Sequence, residues 1–262
     1  GQQGSRWRQQ RRGDDRLIAL NLPGKKKETP PPVPKPLSRL ALFVTGGALG
    51  LLVLGMVFTV LRAPAGPLPN EPLWYNDLIV TAALSVGILV GGFVAWRLPR
   101  NAYGWLLLLF GLSNGALQGF GENYTAYSYL VAPQPLPLAR AGFILAALGF
   151  ALWFTTIPLL FLLFPTGRLP SRRWWSVAAL IALAGTTLVT LLWRSPSAVL
   201  IPIASPFHKA DTLGRWADNL TSTAIFVLIV AIAVSALSVI IRAVRAKGQE
   251  RQQYKWLGLA SI

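Results

Sequence analysis

Six long apolar runs separated by short polar connections constrain the fold of this chain more than any other feature of its sequence. An α-helix rises 1.5 Å per residue, so about 20 apolar residues cross the roughly 30 Å hydrocarbon core of a membrane. The predicted crossings are residues 40–61, 76–96, 103–124, 138–164, 174–193 and 220–244. A seventh run begins at Trp256, and the sequence stops at Ile262 before it can cross. We expect the chain to be a fragment, with a protein that ends on an interfacial stub as the alternative. The pattern predicts an all-α, polytopic integral membrane protein with six transmembrane helices and the start of a seventh.

Composition supports the same class of protein. Hydrophobic residues make up 53% of the sequence and charged residues 13%, whereas soluble domains carry about 25% charged residues. The formal net charge is +16, and the charges lie in a tail and in short connections between apolar runs. This distribution favours a lipid bilayer with anionic headgroups as the partner and argues against nucleic acid.

Two regions and one orientation follow. Residues 1–37 form a basic, proline-rich tail, in which TPPPVPKP favours an extended spacer, and residues 38–262 form the multi-helix transmembrane domain. A cytoplasmic tail also places the connection with Arg168, Arg172 and Arg173 in the cytoplasm. The basic excess then lies on that side, as the positive-inside rule requires, so we expect a cytoplasmic N-terminus.

Glycines recur at four-residue spacing in the first three runs: Gly46, Gly50, Gly87, Gly91, Gly111, Gly115 and Gly119. Small residues on one helix face let backbones approach closely, which is how helices associate where lipid supplies no hydrophobic drive. The spacing predicts packing among the first three helices, with a homodimer face as the alternative.

The third run also contains polar residues spaced four apart along one helix face, with further polar residues close behind. The set is Asn114, Gln118, Glu122, Asn123, Tyr124 and Tyr127. Amides within hydrocarbon need hydrogen-bonding partners. One interpretation makes these residues the wall of an outward-facing pocket for a ligand or quinone-like molecule. The other is interhelical hydrogen bonding beside an ordinary polar helix end.

Residues for familiar catalytic and metal chemistry are scarce. The chain has no cysteine and one histidine, His208, in the connection before the sixth run, so a conventional zinc site or catalytic triad cannot be built. The polar segments contain neither GxxxxGK[ST] nor GxGxxG. We predict no catalytic residue, no metal and no cofactor in this chain.

Three strings occur in the order RNAYGWLLLLFG, LFLLFPTGRLPSRRWW and RAVRAKGQERQQYKWLGLA. They resemble the multi-helix membrane region that precedes the catalytic part of many sensor histidine kinases of Chloroflexota and Actinomycetota. The likeness covers residues 100–262 and leaves the tail without a counterpart. It implies a bacterial cytoplasmic membrane, with more helices and then a cytoplasmic dimerisation and ATP-binding region after Ile262. The chain itself contains no phosphoacceptor histidine box and no ATP-binding box.

These observations predict a sensory and anchoring module of a bacterial signal-transduction protein, in which residues 242–255 relay a change in helix packing to an output region. The alternative is a non-catalytic accessory or scaffold subunit that binds other membrane chains of a larger complex. A transporter or quinone-handling enzyme is a third hypothesis, which the shortage of intramembrane ionisable residues disfavours.

Overall fold

The computed structural model describes residues 35–66, 75–164, 167, 169, 171–192, 207 and 212–245. Within these ranges the regular structure is helical. The helices are α1 (Lys35–Arg62), α2 (Asn76–Arg97), α3 (Ala102–Gly111), α4 (Gly119–Leu130), α5 (Ala139–Leu163), α6 (Trp174–Leu191) and α7 (Thr212–Arg245). A short 3-10 turn (Ala63–Ala65) follows α1, and a π-helical segment (Leu112–Gln118) joins α3 to α4. The tail through residue 34 and the run that begins at residue 256 lie outside the described residues.

Five of these helices, α1, α2, α5, α6 and α7, are long and apolar enough to cross a membrane. The all-helical prediction is therefore confirmed for the described residues, and these five helices correspond to five of the predicted crossings. The predicted crossing at 103–124 differs, because the structure divides it into α3, the π segment and α4. The count of six transmembrane helices stays a prediction.

Neighbouring helices pack closely at glycines. A Cβ added at Gly91 on α2 would lie 2.3 Å from the backbone nitrogen of Leu108 on α3, and one added at Gly111 would lie 2.5 Å from that of Ile88. Because Gly91 and Gly111 meet the partner helix in opposite chain order, α2 and α3 run antiparallel. A side chain of any size would force these two backbones apart.

The described helices form two apolar cores. The first joins α1, α2, α3 and the π segment through Ala48, Leu52, Ile88, Leu108 and Ala116. The second joins α5, α6 and α7 through Ala151, Leu162, Ile181, Leu188 and Leu228. The link between them is tight, because a Cβ added at Gly121 on α4 would lie 2.6 Å from the backbone nitrogen of Ala146 on α5.

The antiparallel alternation sorts the charged residues between two ends. We call one the basic end, where α1 and α3 begin and α2 and α7 end. The charged side chains that the structure describes there are Arg39, Arg97, Arg100, Arg172, Arg173, Arg242 and Arg245. We call the other the mixed end, because it contains Glu122 and Asp218 together with Arg62, Arg140 and Arg215. Within the described ranges, every acidic residue belongs to the mixed end.

Candidate functional site

Two polar side chains that are distant in sequence meet inside the helix bundle at the mixed end. Nε of Arg62, the last residue of α1, donates to Oδ1 of Asn123 on α4 at 2.6 Å. The two residues are 1% and 2% exposed, and Arg62 is the largest fully buried side chain of the described part. A buried guanidinium is costly unless it is hydrogen-bonded, and a buried ionisable group in a membrane protein usually marks a function. The Arg62–Asn123 pair is therefore a candidate site.

The local backbone positions both members of this pair. α1 ends at Arg62, and the chain turns through the 3-10 turn to Gly66, whose φ of 83° favours glycine. On α4, Nδ2 of Asn123 donates to the carbonyl of Gly119 at 2.8 Å. That bond leaves Oδ1 of the amide to accept from the guanidinium.

Four aromatic rings, Phe58, Phe120, Tyr124 and Tyr127, lie on the neighbouring turns of the same two helices. The ring centroid of Phe58 on α1 is 5.0 Å from that of Tyr124 and 5.6 Å from that of Tyr127, and Phe120 stacks on Tyr124 at 5.5 Å. The hydroxyl of Tyr124 donates to the carbonyl of Pro137, just before α5. These ring contacts stabilise the packing of α1 against α4 beside the buried pair.

The six residues predicted to line a pocket do not share one environment in the structure. Nδ2 of Asn114 donates to Oε1 of Gln118 at 3.0 Å within the π segment, and Glu122 is half-buried on α4. Asn123 and the two tyrosines belong to the group around Arg62. The structure thus places two of the six residues in an amide pair, three in the group around Arg62, and Glu122 apart from both, and the ligand pocket stays a prediction.

The π segment is a feature that the sequence did not predict. It packs against α5 where a Cβ added at Gly149 would lie 2.4 Å from the backbone nitrogen of Gln118 and 2.6 Å from the carbonyl oxygen of Ser113. Single-turn π segments inside α-helices are rare and frequently occur at functional sites. The π segment lies between α3, which begins at the basic end, and α4, which contains Asn123 of the buried pair.

At the basic end, Arg242 on α7 binds the end of α5, and we call this contact the Arg242 clamp. One terminal guanidinium nitrogen donates to the carbonyl of Phe161 at 2.8 Å, the other donates to the carbonyl of Phe164, and Nε donates to the carbonyl of Ser238 at 3.2 Å. The last carbonyls of a helix lack amide partners within it, and a cation is favourable at that end of the helix dipole. Arg242 satisfies both requirements of α5.

The predicted packing glycines fall into two groups. A Cβ added at Gly87, Gly91, Gly111 or Gly115 would have atoms of a neighbouring helix within 4 Å, whereas one added at Gly46 or Gly50, which are exposed on α1, would have nothing within 4 Å. Gly119 belongs to the first group, because its added Cβ would lie 4.0 Å from Oγ1 of Thr81 on α2, as well as 3.6 Å from the carbonyl oxygen of Asn114. The described structure therefore brings no partner helix to the Gly46 and Gly50 face. The seven glycines share one spacing but not one environment.

The predicted loop residues Arg172 and Arg173 are exposed at the basic end, directly before α6, and Arg168 lies outside the described residues. Within the described ranges, no group of three or more His, Cys, Asp or Glu side chains is placed to hold a metal ion. His208 also lies outside those ranges.

No family model, no curated protein and no solved structure matches this chain. The resemblance to the membrane regions of sensor histidine kinases therefore remains a hypothesis drawn from the three sequence strings. The structural features that bear on function are the buried pair, the π segment and the Arg242 clamp.

Proposed function

We propose that this chain is the membrane-embedded sensory and anchoring module of a bacterial signal-transduction protein of the histidine-kinase type. The observation that carries the proposal is the Arg242 clamp, because it joins the last turn of α7 to the end of α5 at the basic end. A change in the packing of α5 and α7 would alter this contact first. Residues 242–255, of which 246–255 lie outside the described residues, would relay the change to an output region.

The Arg62–Asn123 pair and the Arg242 clamp lie at opposite ends of a series of helices that pack on one another. Arg62 and Asn123 join α1 to α4 at the mixed end, α4 packs on α5 at Gly121, and α5 reaches Arg242 at the basic end. A ligand, lipid or partner protein acting at the mixed end would reach the clamp along these contacts. It could shift the packing only by binding two packings with different affinities.

Replacing Arg242 with Gln tests this role of the clamp. We expect Arg242→Gln to separate the end of α7 from α5 and to change basal autophosphorylation of the full-length protein by about tenfold, because hydrogen bonds from a charged group contribute about 1.5–3 kcal/mol. The chain has no cysteine, so spin labels at Leu163→Cys, the last residue of α5, and Val244→Cys would report the separation. Arg245→Gln, at an exposed position of the same end, is the control with the same loss of charge.

An unchanged label distance in Arg242→Gln would contradict the clamp. Equal effects of Arg242→Gln and Arg245→Gln would mean that the loss of one positive charge, and not the specific contact with α5, causes the change. A changed distance with unchanged phosphorylation would contradict the relay and leave the packing role intact.

We infer that the basic end faces the bacterial cytoplasm, because the charged residues that the structure describes there are all basic. A membrane-impermeant maleimide applied to intact cells should label Gln134→Cys, in the exposed connection between α4 and α5. It should label Ser171→Cys, which is exposed before α6, only after the cells are permeabilised. The reverse labelling pattern would overturn both the orientation and the direction of signalling.

An accessory or scaffold subunit of a larger membrane complex is the second candidate. The exposed Gly46 and Gly50 face of α1 favours it, because small residues on a helix surface admit close approach of another membrane helix or a second copy of the chain. The reading frame beyond Ile262 distinguishes the two candidates. Boxes for a phosphoacceptor histidine and for ATP binding would support the sensory module, and an early stop codon would favour the subunit.

A further inference from the structure

Arg97, the last residue of α2, is exposed and positioned by two aromatic rings. Its guanidinium carbon lies 4.6 Å from the ring centroid of Trp96 and 5.6 Å from that of Phe93, and the two rings are themselves 6.1 Å apart in an edge arrangement. A cation over an aromatic face is attracted by the ring quadrupole. That attraction orients the guanidinium without neutralising its charge.

The surroundings of Arg97 add positive charge. Arg100 is exposed in the turn between α2 and α3, and Arg39 is exposed at the start of α1, which packs beside α2 where Gly92 approaches Thr45. The acidic residues of the described ranges all lie at the mixed end. An anion that reached Arg97 would therefore find cations and no described carboxylate competing for them.

An apolar stripe leads from Arg97 toward the middle of α2. Val86, Val90 and Phe93 are 57%, 45% and 56% exposed, and with Arg97 they are spaced four, three and four residues apart, which places them on one helix face. Eleven residues of helix extend roughly 16 Å, which is about half of a 30 Å hydrocarbon core. The stripe is thus as long as the acyl region of one leaflet.

We propose that this face of α2 binds one anionic phospholipid, with its phosphate at Arg97 and an acyl chain along Phe93, Val90 and Val86. A free phosphate would use the charge and leave the apolar stripe without a role, whereas a lipid uses both. The proposal rests on α2 spanning the membrane and is independent of signalling. Binding can therefore fail while the sensory role stands, and the reverse is equally possible.

The test is a titration of the purified chain in detergent with dioleoylphosphatidylglycerol, in which native mass spectrometry measures the dissociation constant of the first lipid. Arg97→Gln should weaken binding about fivefold, the effect of about 1 kcal/mol for one arginine near an anionic headgroup. Trp96→Leu keeps the charge and removes a ring, and it should weaken binding about two- to fivefold. Wild-type protein should bind this lipid more tightly than phosphatidylcholine with the same acyl chains, and Arg97→Gln should lose that preference.

Arg173→Gln is the matched control, because Arg173 is exposed at the same end and makes no ring contact in the described structure. We expect it to change binding by less than about twofold. Equal weakening by Arg97→Gln and Arg173→Gln would overturn the site in favour of diffuse attraction. Competition by glycerol phosphate at the concentration of the lipid would overturn the lipid as occupant in favour of a free phosphate.

Discussion

A single methyl group added at Gly91 should lower the free energy of unfolding by about 2–3 kcal/mol, the upper part of the usual range for overpacking. The new Cβ would lie 2.3 Å from the backbone nitrogen of Leu108 and 2.7 Å from the carbonyl carbon of Leu107. These are backbone atoms of α3, so no side chain can rotate out of the way. The whole of α3 would have to move away from α2, which would also loosen the contact at Gly111.

Gly50→Ala is the matched control for Gly91→Ala. Both substitutions replace a helical glycine in an apolar run, but a Cβ at Gly50 would meet nothing within 4 Å. Its effect should stay within about 0.5 kcal/mol or be slightly stabilising, since alanine favours helix by up to about 1 kcal/mol. The free energy of unfolding of both variants is measured in mixed micelles of mild detergent and dodecyl sulfate, with circular dichroism as the probe of unfolding. Equal stability of the two variants would mean that α2 and α3 do not pack in this register.

This contrast shows how far the sequence predicted the packing. The four-residue spacing of the glycines indicated that the first three runs have helix faces suited to close approach. This spacing is the same for Gly46 and Gly50 as for Gly87 and Gly91. Spacing defines a face of one helix and contains no information about which neighbour meets it. That choice depends on the order in which helices pack, which is a property of the whole bundle.

Five of the six predicted runs correspond to helices that are long and apolar enough to cross a membrane, because hydropathy and length determine that outcome locally. Hydropathy does not reflect backbone register, so it could not distinguish one continuous helix at 103–124 from two helices joined by a π segment. The tight approach of Gly149 to Ser113 and Gln118 shows that α5 packs directly on the widened turn. No periodicity within the third run reports that contact.

The burial of Arg62 and the contacts of Arg242 with α5 were not predicted, for a related reason. Arg62 and Arg242 each stand at the end of an apolar run, where sequence patterns assign charged residues to polar connections. The acceptors of both side chains lie on other segments of the chain: Arg62 donates to Asn123, and Arg242 donates to the carbonyls of Phe161 and Phe164. Arg62 is the only charged residue between Arg39 and Glu71, and this isolation is the one signal that could have drawn attention to it.

Replacing Asn123 with Leu should lower the free energy of unfolding by about 2–3 kcal/mol. The substitution keeps the side-chain volume and removes the oxygen that accepts from Nε of Arg62 at 2.6 Å, and a hydrogen bond to a buried charged group contributes about 1.5–3 kcal/mol. Asn114→Leu is the control on the same helical region. Asn114 is half-buried and donates to the neutral amide of Gln118. Asn114→Leu should therefore lower the free energy of unfolding by only about 0.5–1.5 kcal/mol.

A double-mutant cycle then separates the contact from the burial of charge. Replacing a buried ionic group with a hydrophobic residue of similar volume is often neutral or stabilising, whereas removing one partner alone is strongly destabilising. The variant with both Arg62→Leu and Asn123→Leu should therefore be more stable than Asn123→Leu alone, with a coupling energy of at least about 1.5 kcal/mol. Additive effects would show that the two side chains do not interact.

If the double variant folds and inserts normally but no longer changes its output when stimulated, the buried arginine is retained for signalling, because packing alone would favour its replacement.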